Sequence, residues 1–120
     1  MAKVVYVVDD ELLVCSTFTQ ILNKFGFDAV PFNDPVQALE SAAVNVPDIA
    51  ITDVLLPELS GIELAQRIKE MHPPCKVMLL TALPSAMDLI EAAGSPGQDF
   101  ELLPKPIHPE DLIAALKIKP

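Results

Sequence analysis

Polar residues follow four of the five strand-like apolar runs in this sequence. They are Asp9 and Asp10 after the first run, Asp53 after the third, Thr81 after the fourth and Lys105 after the fifth. Carboxylates that lie close together repel one another, and a hard divalent cation with oxygen ligands, Mg²⁺ above all, relieves that repulsion. A threonine hydroxyl and a lysine ammonium can hold the oxygens of a phosphoryl group. Together these residue types predict a site where a phosphoryl group passes onto a carboxylate.

Each of these residues has a simpler explanation when it is taken alone. An aspartate at the end of a strand often caps a turn, acidic residues favour the start of a helix, and a loop lysine is usually solvated. These explanations do not account for suitable polar residues at four strand ends at once, so the set as a whole favours the functional interpretation.

Length and composition predict one domain over residues 1–120. The chain is 51% hydrophobic, with a mean hydropathy of +0.39, which is enough for a sizeable core. Its net charge of −9 argues against binding nucleic acid through the phosphates.

Since neither a membrane-length apolar run nor a signal-peptide pattern is present, we expect a cytoplasmic protein. Cys15 and Cys75 are expected to be buried or partly buried free thiols, and the isolated His72 and His108 are not expected to bind metal.

Apolar periodicity predicts five strands that alternate with five helices. The predicted strands are Lys3–Val8, Phe27–Phe32, 49–53, Lys76–Leu80 and Phe100–Leu103. The first predicted helix has three acids, Asp9 to Glu11, at its first turn and ends at Gly26. The second starts at Asp34-Pro35, and the third starts with the capping box from Ser60 to Glu63. A short fourth helix covers Ser85 to Ala93, and the last helix begins at Pro109.

The predicted apolar faces follow from the same spacing. They are Val14, Phe18, Ile21, Leu22 and Phe25 on the first helix, Val36, Leu39 and Ala43 on the second, Leu64, Ile68 and Met71 on the third, and Leu112, Ile113 and Leu116 on the last.

Alternating strands and helices are typical of a doubly wound α/β domain with a parallel sheet. With the strand order 2-1-3-4-5, the ends of the first and third strands line one crevice at the carboxyl edge of the sheet. The five polar residues therefore converge at the edge where such sheets bind their ligands.

Four ordered motifs resemble those of receiver domains of bacterial two-component response regulators. They are Val7 to Glu11, Asp53 to Pro57 with Gly61, Leu80 to Ala82, and Leu103 to Pro106. The resemblance covers nearly the whole chain at near-family spacing. It implies a flavodoxin-like three-layer sandwich and a phosphorelay function.

The resemblance also implies a role for each matching residue. Asp53 would accept the phosphoryl group from a histidine kinase or a histidine phosphotransfer protein. Asp10 would ligate Mg²⁺ directly, Asp9 would act mostly through water, and the Leu55 carbonyl would be a backbone ligand. Thr81 would be the switch hydroxyl, and Lys105 would pair with the phosphate through a loop with a cis Lys105-Pro106 bond.

Further expectations concern turnover and partners. Leu55 and Leu83 are apolar and cannot orient an attacking water, so we expect slow self-dephosphorylation rather than an enzyme. Leu102 replaces the aromatic residue usual in the family, and the segment from Gly94 to Gln98 makes the interval before Lys105 longer. We expect a monomer or a weak dimer with no membrane contact, and either a stand-alone receiver or one with an output domain beyond Pro120.

Three alternatives compete with this interpretation. A flavin-binding domain of the same topology is disfavoured because Asp9 to Glu11 would repel a flavin phosphate. An aspartyl-phosphate hydrolase of the haloacid dehalogenase type would have a second aspartate where Leu55 stands. A pseudo-receiver that serves only as a docking module remains the main alternative to phosphorylation.

Overall fold

The computed structural model describes residues 3–53, 61–81, 100–104 and 108–118. In these ranges the predicted order of strands and helices is observed. The strands are β1 (Val4–Val8), β2 (Asp28–Phe32), β3 (Ile49–Asp53), β4 (Lys76–Thr81) and β5 (Phe100–Pro104), and the helices are α1 (Leu12–Lys24), α2 (Pro35–Val44), α3 (Gly61–Met71) and α4 (Pro109–Ile118).

The five strands form one parallel sheet in the order β2-β1-β3-β4-β5, which confirms the predicted topology. The order reverses between β1 and β3, and the two strands pair in register from Val5 opposite Ile49 to Val8 opposite Thr52. The residues that follow this paired stretch therefore enter the same crevice at the carboxyl edge.

Helices cover both faces of the sheet, which explains why the central strands are apolar throughout. One core lies under α1 and α4 and includes Val5, Val7, Ile51, Met78 and Leu80 from the sheet. The other lies under α2 and α3 and includes Tyr6, Val8, Ala50, Val77 and Leu79. Alternate residues of one strand thus serve opposite layers, as the two-residue period of a strand requires.

Two predicted helix ends have the expected chemistry. Gly26 has φ +93°, and the amides of Gly26 and Phe27 donate to the carbonyls of Asn23 and Leu22, the pattern of a Schellman cap. At the start of α2, the Asp34 carboxylate accepts a 2.9 Å hydrogen bond from the amide of Val36.

The predicted apolar face of α2 was correct for Leu39, which is partly buried against the core, and wrong for Val36 and Ala43. Pro35, Ala38 and Ala42 are the buried residues of this helix, whereas Val36 is 40% exposed and Ala43 is also exposed. Small side chains face the sheet because large rings occupy the space beneath them: Tyr6 and Phe32 pack with their ring centroids 4.8 Å apart in this layer.

Two other expectations for helix faces need correction. Phe25 lies after the last residue of α1 and is 49% exposed, and Met71, the last residue of α3, is 38% exposed. Both stand where the helix ends and the chain leaves the layer. The three acids predicted at the first turn of α1 instead precede the helix, which begins at Leu12 with no acidic residue in its first turn.

Several predictions lie outside the described residues: the capping serine Ser60, the helix over Ser85 to Ala93, the segment from Gly94 to Gln98, and the Lys105-Pro106 bond. Among the helices of the described ranges, none has the length and apolar character needed to span a membrane. Cys15 and Cys75 are buried free thiols, as predicted.

Candidate functional site

The ends of β1 and β3 bring three acidic side chains together. Asp9 and Asp10 follow β1, and Asp53 is the last residue of β3. One carboxylate oxygen from each of them lies within 4.8 Å of the other two. Asp9 is buried, Asp53 is half-buried and Asp10 is exposed, so the cluster runs from the interior of the crevice to its surface.

Asp9 is held by its backbone as well as by its side chain. Its amide donates to the Phe32 carbonyl at 3.1 Å, which extends the pairing of β1 and β2 by one residue. Its Oδ1 accepts a 2.9 Å hydrogen bond from the Glu11 amide, and its carbonyl accepts a longer one, 3.4 Å, from Asn33 Nδ2. These contacts tie the acid to both the neighbouring strand and the start of α1.

Cys15 of α1 packs beneath this part of the site. Its thiol donates to the Val7 carbonyl at 3.3 Å and, at a longer 3.7 Å, to the Phe32 carbonyl. Burial raises the pKa of the Cys15 thiol, and the nearby negative charge of Asp9 raises it further. The thiol therefore stays neutral and adds no charge beneath the acidic cluster.

Asp53 is positioned by the sheet and by the residue before it. Its backbone pairs with Leu80 of β4, and its carbonyl accepts a 3.1 Å hydrogen bond from the hydroxyl of Thr52. Thr52 is completely buried, and like Asp9 it is a buried polar residue in an otherwise apolar part of the sheet.

The donor set of the cluster fits a hard divalent cation. All three groups offer carboxylate oxygen, the ligand type that Mg²⁺ prefers. Two oxygens bound to one Mg²⁺ lie about 3 to 4 Å apart because each is about 2.1 Å from the ion. The upper limit of 4.8 Å on the observed separations is compatible with one shared ion, and Asp9, Asp10 and Asp53 could hold it.

The remaining predicted residues are described only in part. Thr81 is the last residue of β4, as predicted, and its backbone pairs with Pro104 at the end of β5. The chain segment that carries Lys105 therefore starts beside Thr81 at the carboxyl edge of the sheet. Lys105 itself and the Leu55 carbonyl lie outside the described residues, so their predicted roles stay predictions.

Comparison with known proteins shows the family. A model of the response regulator receiver domain matches residues 5–117. The chain belongs to the response regulator receiver domain family. The resemblance inferred from the four motifs is thereby confirmed, and with it the place of this receiver domain among proteins of two-component signalling.

Individual relatives agree with this assignment. The receiver domain is 32% identical over 117 residues to the regulatory protein VanRc of Enterococcus gallinarum, covering 98% of this chain and 49% of that protein. It is 30% identical to the transcriptional regulatory protein CreB of Escherichia coli K12 over 96% of this chain and 49% of CreB. The chain thus spans about half the length of these curated relatives.

Solved structures confirm the fold. The BeF₃-activated DrrB receiver domain superposes with a TM-score of 0.83 at 28% identity, covering 98% of this chain and 96% of that one. The signal receiver domain of an HD domain-containing protein from Pseudomonas fluorescens Pf-5 gives a TM-score of 0.87 at 27% identity, with 98% and 93% coverage.

Sequence reasoning missed the residues that support the acids, namely Cys15, Asn33 and Thr52. A hydroxyl immediately before Asp53 in an otherwise apolar strand was a visible signal for Thr52. No comparable signal marked Cys15 or Asn33, because their contacts with β1 depend on how α1 and β2 pack against it.

Proposed function

We propose that this receiver domain accepts a phosphoryl group on Asp53 from the phosphohistidine of a histidine kinase or a histidine phosphotransfer protein. The observation that carries the proposal is the convergence of the Asp9, Asp10 and Asp53 oxygens within 4.8 Å at the crevice between β1 and β3. This is the edge at which open α/β sheets bind their ligands.

The transfer follows from the chemistry of a carboxylate nucleophile. A carboxylate oxygen of Asp53 forms a bond to phosphorus while the bond from phosphorus to the donor's imidazole nitrogen breaks, and the electron pair stays on the nitrogen. Asp53 is half-buried, so it is accessible from the crevice while its backbone is fixed in the sheet.

Asp9, Asp10 and Asp53, together with the carbonyl of Leu55, would hold Mg²⁺. When bound, the ion offsets the negative charge of the acids and of the phosphoryl oxygens that approach them. Without such a counter-charge, the acidic cluster would repel an incoming phosphoryl group. The three acids thus make phosphorylation dependent on a divalent cation.

Thr81 and Lys105 supply the response to phosphorylation in this proposal. A phosphoryl group adds nearly two negative charges and three acceptor oxygens. A hydroxyl and an ammonium at the ends of neighbouring strands can donate to those oxygens, and their movement would change the surface around β4 and β5. The backbone pairing of Thr81 with Pro104 supports the shared location of these two residues.

The domain acts as a cytoplasmic signalling module rather than as an enzyme in this proposal. The apolar Leu55 and Leu83 do not orient a hydrolytic water, so the aspartyl phosphate persists for much longer than seconds. The response to its formation would be read by a partner or by an output domain beyond Pro120, and the chain spans only about half the length of its curated relatives.

Intact-mass spectrometry after incubation with acetyl phosphate and Mg²⁺ tests the proposal. We expect the mass to rise by one phosphoryl group, and we expect EDTA or Asp53→Asn to abolish the change. Asp28→Asn is the matched control, because Asp28 is exposed at the amino end of β2 and should leave labelling intact. Unlabelled wild-type protein would refute phosphorylation and favour a docking module.

A further inference from the structure

Thr52 is a buried hydroxyl that the phosphorylation site as described so far does not use. It lies in β3 between Val8 of β1 and Leu79 of β4, two apolar residues of the core under α2 and α3. Burying a hydroxyl in such surroundings is unfavourable unless it forms a hydrogen bond, and a valine of nearly the same shape would avoid that requirement. The packing of this layer alone therefore gives no reason for a hydroxyl.

The hydrogen bond of Thr52 connects it to the acceptor residue. Its Oγ1 donates to the carbonyl of Asp53 at 3.1 Å. Asp53 is the last residue of β3, and its pairing with Leu80 is the last pair between β3 and β4. The hydrogen bond from Thr52 to the Asp53 carbonyl therefore adds to the restraint that this pairing places on the last backbone dihedral of Asp53.

We infer that Thr52 is a positioning residue for phosphoryl transfer, which it promotes by fixing the backbone of Asp53 through its hydroxyl. This inference rests on the proposed function of Asp53. Phosphoryl transfer depends mainly on the alignment of nucleophile, phosphorus and leaving group, so a nucleophile whose backbone is held less firmly reacts more slowly. Thr52 touches neither donor nor phosphate, so it affects the rate of transfer and not the affinity for the donor.

Two substitutions separate the hydroxyl from the rest of the side chain. Thr52→Val removes the hydrogen bond and keeps the β-branched shape, whereas Thr52→Ser keeps the hydroxyl and removes a buried methyl group. Thr19→Val is the matched control, because the Thr19 hydroxyl also donates to a backbone carbonyl, that of Cys15 at 2.7 Å, within α1. All three are compared with wild type for phosphorylation by acetyl phosphate in saturating Mg²⁺ and for their urea unfolding midpoints.

We expect Thr52→Val to lower the rate constant at saturating acetyl phosphate about fivefold, which corresponds to about 1 kcal/mol, with an unchanged half-saturating concentration. Thr52→Ser should stay within about twofold of wild type although its unfolding midpoint falls through the loss of the methyl group. Thr19→Val should react like wild type. Positioning is supported if the phosphorylation rate constant depends on whether residue 52 carries a hydroxyl and does not depend on the unfolding midpoint of the variant.

Three results would overturn the inference: a Thr52→Val rate within about twofold of wild type, a Thr52→Ser rate as low as that of Thr52→Val, or an equal loss in Thr19→Val. If wild type is phosphorylated and Asp53→Asn is not, any of these results removes the role of Thr52 and leaves the proposed function standing. If folded wild-type protein takes up no phosphoryl group, the proposed function fails and the inference fails with it.

Discussion

Substituting Asp53 by asparagine should stabilise the metal-free protein. The change removes one of three clustered negative charges and keeps the size of the side chain. The three oxygens lie within 4.8 Å of one another, and two unit charges at that limit repel each other by about 3.5 kcal/mol at an effective dielectric constant of about 20, and by about 0.9 kcal/mol in bulk water. Since Asp9 is buried and Asp53 is half-buried, we expect the free energy of unfolding to rise by about 1–3 kcal/mol.

Urea unfolding followed by circular dichroism, in EDTA at low salt, measures this difference. In a second series with Mg²⁺, the wild type should gain about 2.7 kcal/mol at a concentration of one hundred times Kd, because the ion binds the folded state. Asp53→Asn should gain much less, and Asp28→Asn should behave like wild type in both series. An Asp53→Asn protein that is no more stable than wild type in EDTA, or that gains as much from Mg²⁺, would refute the reasoning.

Two further predictions concern the core. Tyr6→Phe should lower the free energy of unfolding by about 1–2 kcal/mol without changing the affinity for Mg²⁺. The reason is that the buried Tyr6 hydroxyl forms hydrogen bonds with the Ser41 hydroxyl at 2.9 Å and the Asn45 carbonyl at 2.5 Å. Equal stability of the two proteins in urea would contradict this prediction. Burial raises the pKa of Cys75 from 9.0 to about 11, so the folded state retains a proton that the unfolded state releases. That stabilisation is complete below pH 9 and is lost as the pH rises towards 11, which removes about 1.3 kcal/mol between pH 8 and pH 10. Cys75→Ala should lack this component of the decline, and parallel pH profiles of wild type and variant would show that the thiol does not contribute.

Much of the fold was predictable because local chemistry and the global arrangement agree. A β-branched run predicted β1, the Asp34-Pro35 pair marked the start of α2, and Gly26 marked the end of α1. These signals depend on backbone conformation and capping, which act within a few residues. The alternation of strands and helices then limited the sheet to a few possible orders.

The errors arose where packing between elements decides the outcome. Hydrophobicity placed Val36 in the core, but the rings of Tyr6 and Phe32 lie in the layer beneath α2, where the fully buried residues of the helix are small, such as Ala38 and Ala42. No property of α2 alone reveals which side chains the sheet places beneath it. The apolar periodicity predicted the presence of α2 correctly, but it did not predict which of its residues face the sheet.

The candidate site divides in the same way. Asp9, Asp10 and Asp53 were predictable because their place at strand ends follows from topology once the strands are recognised. Most of the contacts that hold them were not predictable, since the hydrogen bonds from Glu11 and Asn33 depend on how the segments after β1 and β2 come together. The acids thus follow from the fold, whereas their precise support follows from the packed structure.

The central claim is that Asp53 is the residue that receives the phosphoryl group. Its most direct test is borohydride reduction of the domain after phosphorylation by acetyl phosphate with Mg²⁺, followed by peptide mapping, because the reagent converts an aspartyl phosphate to homoserine. We predict homoserine at position 53 and at no other aspartate, in an amount that matches the mass-shifted fraction. Homoserine at Asp9 or Asp10, or a mass-shifted protein with an unmodified Asp53, would contradict the account.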